Sequence, residues 1–219
     1  MQTHDIEQLV SAMLRDIDGV TDPLQDYEAI ALAVMRLSLD KPLRVVEDVA
    51  VTDSRLVSLP VAWVKGFSAL NSVEYPINDS PRTYINGATL YQAPDGEKID
   101  VGCAVSGTVR VVFSAPHVLD ATDDALTTVP EKYKEPLAAY VVHLLLNQLA
   151  TNYAHSSDGI IQADTVDHGD KSRKFSSLAK TYLKKYEDQV GIEKPKEQAA
   201  SVVANWDRRR LGLQPRANR

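Results

Sequence analysis

A chain of 219 residues is long enough for one large domain, or a domain with an insertion, and for a sizeable core. Its 44% hydrophobic and 25% charged content is that of an ordinary globular protein, and its net charge of −6 argues against a chain that coats nucleic acid with its whole surface. The single cysteine, Cys103, excludes an intrachain disulfide framework and fits a reducing compartment. No apolar run approaches the roughly 20 residues of a membrane span, so no membrane contact is expected. Asp5, Glu7, Asp16 and Asp18 interrupt the first residues, which do not read as a secretory signal.

The first helix is expected from Thr3 or Asp5, with Ile6, Leu9, Val10, Met13, Leu14 and Ile17 on one apolar face and Gly19 as its stop. Thr21-Asp22-Pro23 restarts a helix, a capping side chain before proline at the first helical position. Ala29, Ile30, Ala33, Val34 and Leu37 form its buried face, and Pro42 ends it. The period then drops to two. Leu43, Val45, Glu47, Val49 and Val51 alternate as a strand. Leu59-Pro60 opens one or two helical turns through Trp63 and Phe67, and residues 73 to 77 read as extended. Residues 88 to 92 and 97 to 101 flank Ala93-Pro94-Asp95-Gly96, which has the residues of a β-turn. Thr108 to Phe113 forms a further strand with Val109, Val111 and Phe113 on one face.

Helices return at Pro130. Leu137, Tyr140, Val141, Leu144, Leu145 and Leu149 lie among Ala138, Ala139, Val142 and Leu146, so this helix is apolar almost all round and central, or a contact between copies. Residues 155 to 169 read as a polar loop, and Asp170 or Ser172 caps a last helix with Phe175, Leu178, Ala179, Tyr182, Leu183 and Tyr186 inward. Its other face is crowded with lysines. The expected fold class is α+β: a mainly helical bundle of about four long helices, an inserted small β-rich domain and an extended C-terminal tail. The corresponding domains are residues 1–42 with 120–191, residues 43–119, and residues 192–219.

Candidate chemistry is thin. Ser177-Leu178-Ala179-Lys180 and Ser38-Leu39-Asp40-Lys41 match the S-x-x-K spacing of a serine nucleophile with a lysine base, but the companion motifs are absent and so short a pattern arises readily by chance. Gly169-Asp170-Lys171-Ser172 lacks the glycine that a phosphate loop needs before its lysine. His155, Asp158, Asp164, Asp167, His168 and Asp170 are the densest group of potential metal ligands, without the fixed spacing of a metal site. Cys103 reads as a small buried side chain, His117 as a structural loop residue, and His143 as a core or interface residue. No catalytic residue, cofactor or metal is assigned.

Charge is unevenly placed. From Glu193 onward seven basic residues face three acidic ones, giving +4 and leaving −10 on the remainder. Val202, Val203, Trp206, Leu211 and Leu213 surround Arg208-Arg209-Arg210, and Trp and Arg are the residue types that anchor interfaces. Such a segment can order on a partner. Lys174, Lys180 and Lys184 form a candidate face toward DNA phosphates.

Taken in order, several short motifs resemble the head-to-tail adaptor (connector) proteins of tailed bacteriophages. Two amphipathic helices lead into Arg36-Leu37-Ser38 and Lys41-Pro42. The β-rich part contains Leu59-Pro60, Val73-Glu74-Tyr75-Pro76 and Arg110-Val111-Val112-Phe113-Ser114-Ala115-Pro116-His117. Val129-Pro130 precedes the apolar helix, and Lys171-Ser172 opens the last one, with Leu178-Ala179-Lys180 and Tyr182. Leu37 stands where family members commonly have Tyr. The resemblance implies a non-enzymatic virion protein at the neck, made in the host cytoplasm. It would assemble as a homo-oligomeric ring, dodecameric as is often so in the family, below the portal protein, extend the channel through which double-stranded DNA passes without sequence-specific binding, and offer a surface to a stopper or tail-terminator protein. Trp206, Arg208, Arg209, Arg210, Leu211 and Leu213 are then the portal-docking residues, and Lys174, Lys180 and Lys184 the channel face. The alternatives are another neck component, a stopper or tail-completion protein, or a metal-dependent hydrolase using residues 155–170.

Overall fold

The computed structural model describes residues 2–14, 23–121, 123–155 and 168–192, and the side chains of all of these except 23–26, 155 and 168–170. Helices α1 (Thr3–Met13) and α2 (Pro23–Asp40) lead into strand β1 (Leu43–Ser58). Strands β2 (Leu70–Glu74), β3 (Thr89–Ala93) and β4 (Gly96–Ala115) follow, then a 3-10 turn (Glu131–Tyr133), α3 (Lys134–His155) and α4 (His168–Val190).

The expectation of a mainly helical bundle with a small β-rich insertion is corrected: the fold is mixed α+β, with four helices and a four-stranded antiparallel sheet among the described residues. The sheet is large because β1 runs 16 residues and β4 runs 20. The stretches read as separate strands at 97–101 and 108–113 are one strand. Gly102 and Gly107 take positive φ within it, so glycine here bends a continuous ribbon and does not end it. β4 is the spine. It pairs along one edge with β1, from Leu43↔Ala115 to Ser58↔Lys98. Its other edge pairs with β2 near Phe113 and with β3 across the tight turn at Ala93↔Gly96. Residues 59–67 form turns without regular helix, closed by Trp63 N–H to Pro60 O and Phe67 N–H to Val64 O. Cys103 is exposed, against expectation, in the part of β4 between the segments that β3 and β2 cover.

Two apolar cores result. One is helical: Ile6 and Val10 of α1, Ala33 and Leu37 of α2, Val141 and Leu146 of α3, and Ala179 and Tyr186 of α4 are all fully or almost fully buried. α3 carries apolar residues on most sides because α1, α2 and α4 all pack on it. The other core lies on one face of the sheet, where Val105, Val109, Val111 and Phe113 of β4 meet Val57 and Val73, and Trp63 packs its ring 5.4 Å from that of Phe113.

Polar contacts fix the helices at their ends. The buried Tyr186 hydroxyl donates to Asp40 Oδ2 at 2.7 Å, and Arg36 Nε donates to the same oxygen at 2.8 Å. Burial, with the Asp40 carboxylate beside it, pushes the Tyr186 phenol well above its usual range. His143 Nδ1 lies 2.8 Å from Ala179 O and ties α3 to α4. Tyr186→Phe, which strips one donor from a carboxylate, should cost about 1.5–3 kcal/mol. Tyr186→Ala, which also opens a cavity, should cost about 3–5 kcal/mol. Denaturant unfolding of the two variants measures the difference.

Candidate functional site

Three features of the surface bear on function: a junction between the two cores, an apolar groove beside it, and a basic stripe on α4.

The chain leaves the helical part at Lys41-Pro42 and returns at Pro116-His117, and one cluster holds both crossings. His117 is buried; its Nε2 lies 3.0 Å from Lys41 O and its Nδ1 3.1 Å from Thr128 O. Its backbone N–H donates to Ser38 Oγ at 2.9 Å, and that hydroxyl donates to Val34 O at 2.7 Å. Thr128 adds a second rung, its Oγ1 accepting from Val118 N–H at 2.8 Å. Ser38 is therefore structural, and its S-x-x-K match carries no chemistry. In the other match Ser177 and Lys180 are exposed on α4. Ser172 donates to Ala150 O at 2.8 Å and so also holds two helices together.

Beside this junction lies an apolar cavity of about 450 Å³. Tyr27, Ala31, Val34 and Met35 of α2 form one wall, Val64 and Phe67 of the β1–β2 loop another, and Leu119 closes one end. It continues into exposed apolar surface, with Met35 62% and Leu39 64% accessible. Sequence reasoning placed Val34 on the buried face of α2 and Phe67 in a turn but assigned no groove; Tyr27, Leu32, Met35 and Leu39 are apolar positions of α2 outside that buried face. A second concavity, on the polar face of the sheet, is lined by paired charges. Arg110 binds Asp48 through two nitrogens at 2.7 and 2.9 Å and donates to Asn78 at 3.1 Å, while the buried Glu74 carboxylate accepts from Asn78 N–H. These pairs hold the sheet, while Arg44, Arg82 and Tyr84, which also line the concavity, are exposed.

Lys180 and Lys184 stand one turn apart on the exposed face of α4, opposite Ala179 and Tyr186. Lys174 is exposed on the same helix but further round it. The three are not one compact patch, and Arg173 completes the stripe in place of Lys174. Trp206, Arg208, Arg209, Arg210, Leu211 and Leu213 lie outside the described residues, as does most of the 155–170 group. Among the described residues no group of three His, Cys, Asp or Glu side chains is placed to hold a metal ion. Nor is any helix long and apolar enough to cross a membrane.

No protein-family model matches the chain, and no curated protein matches it.

Two expectations follow for stability. His117→Phe keeps the ring volume but removes the ring N–H and so strands a part-buried carbonyl, at a cost of about 1–3 kcal/mol, read by chemical denaturation. A second concerns acid. Hydrogen bonds from Arg110 hold the Asp48 carboxyl below its usual range, and those from Arg55 do the same for Asp100. A depressed folded pKa gives stability that is present above the unfolded value and lost as pH falls through the folded one. Unfolding midpoints should therefore hold down to about pH 4 and fall below it, and Arg110→Met should flatten that fall.

Proposed function

We propose that this chain is a head-to-tail adaptor of a tailed bacteriophage, a structural ring protein below the portal. The observation that carries the reading is the convergence of the motifs behind the resemblance. Ser38 and Lys41, from adjoining motifs, and His117, more than 70 residues on, meet in one hydrogen-bonded junction, beside Thr128 and the Val129-Pro130 that follows it. The spacing of those motifs is thus what this architecture requires: two helices, an inserted sheet, and two helices.

Several features suit a ring. An acidic body makes few attractive contacts to phosphate, so DNA can pass without being gripped. The stripe of Arg173, Lys180 and Lys184 is the exception and is the face we assign to the channel. The exposed apolar side chains of α2 are suited to contact between neighbouring copies. Trp206, Arg208, Arg209, Arg210, Leu211 and Leu213 are assigned to portal docking, since a basic segment with a large aromatic anchor is suited to capture by a partner. A stopper or tail-terminator protein would bind the opposite end of the ring.

The test is incubation of the purified chain, with and without residues 195–219, with assembled portal rings, read by electron microscopy and mass. A ring on the portal that requires the segment is the expected result. A ring that forms without it keeps the function and moves the docking site. No association removes the adaptor reading.

A further inference from the structure

We infer that the apolar groove beside α2 is the binding site for this chain's own C-terminal segment, with Trp206 as the side chain that fills it. This does not rest on the adaptor reading and concerns the free chain; on a portal the same segment would leave the groove.

The first argument is where α4 ends. Its last turns are pinned by Tyr186 to Asp40 at the end of α2, and by Lys185 to Glu135 at the start of α3, 2.7 Å apart. Lys134, next to Glu135, lies 3.6 Å from Asp5 near the start of α1, and Thr3 in the same turn donates to Asp120 O at 3.4 Å. The end of α4 is thus tied, contact by contact, to the end of the helical unit where Thr3 and Leu119 line the groove. Ile192 packs on the helical core there. Between it and Trp206 the chain can span roughly 50 Å, whereas the groove follows only about 17 Å of α2. The segment reaches its own groove with chain to spare.

The second argument is chemical fit. The groove walls are almost wholly apolar, and the polar groups at its edge are engaged: Ser38 with Val34 and His117, and both His117 nitrogens against carbonyls. Such a site takes an apolar side chain and offers nothing to a polar ligand. The segment supplies Val202, Val203 and Trp206 before its arginines. Charge matches as well. Arg208, Arg209 and Arg210 follow Trp206 closely, and Asp120, Asp123 and Asp124 follow Leu119 at one end of the groove. With the indole in the groove, the arginines lie within reach of that acidic loop. A +4 segment on a −10 body is drawn to it at long range too.

The experiment uses the full chain with Trp63→Phe, so that Trp206 is the one tryptophan. Expected are blue-shifted emission and protection from acrylamide, both unchanged on dilution of a sedimentation monomer. Met35→Glu, at an exposed position that tolerates charge, should abolish the shift while circular dichroism stays the same. Leu32→Glu, on α2 but outside the groove, should leave it intact. Emission of a solvated indole in the parent protein overturns the inference. So does a blue shift that survives Met35→Glu, or one that disappears on dilution, which would mark a contact between copies.

Discussion

The insertion of a long sheet between two pairs of helices depends on holding its two ends together. Leu43 opens β1 opposite Ala115 at the close of β4, so the chain leaves and re-enters the helical part at neighbouring points. Pairing alone leaves the ribbon free to swing on residues 41–42 and 116–117. The His117 side chain restrains that freedom: its ring is wedged between Lys41 O on the way out and Thr128 O on the way back, with a nitrogen 3.0–3.1 Å from each. Ser38 anchors the same backbone to α2. A buried imidazole is costly unless its N–H finds an acceptor, and here a carbonyl from each crossing lies within hydrogen-bonding distance of the ring.

The cores themselves are built on different periods. The helical one is closed by α3, whose apolar sides are all used, and its margins are tied by hydrogen bonds at Asp40 and Ala179. The sheet core uses one face only. Its polar face is organised by arginine–carboxylate pairs, Arg110 with Asp48 and Arg55 with Asp100, which lie across neighbouring strands and fix register more than they add stability. Trp63 crosses between these levels: it belongs to a loop, yet its ring seals the sheet core over Phe113.

How much of this was legible follows from how local each signal is. The buried face of α2 and the all-round apolar character of α3 rest on spacing within one element, and both are present in the fold. The extent of the sheet was not legible, because Gly102 and Gly107 carry the same signal as turn residues until their strand partners are known. Cys103 was misread for a related reason: its exposure depends on where β2 and β3 stop. The turns at 59–67 take their shape from contacts with Glu47 and Ser68, not from helical spacing. The groove was invisible because its walls come from residues 27–38, 64–67 and 116–119. Lys180 and Lys184 were placed on one exposed face by spacing alone, while Lys174 was grouped with them by composition and lies apart.

Helix geometry makes one further distinction on α2. The groove takes Tyr27, Ile30, Ala31, Val34, Met35 and Ser38 of this helix. Leu32 and Leu39 stand about 40–60° beyond Met35, on the side away from the helical core. Both are exposed, and neither lines the cavity. A side chain seated in the groove therefore leaves them uncovered. A helix with one face in its own core, one beside a groove and a third bearing two exposed leucines has more apolar surface than its own fold buries. The third face is what remains for another molecule, and a neighbour in a ring can cover it without displacing whatever fills the groove.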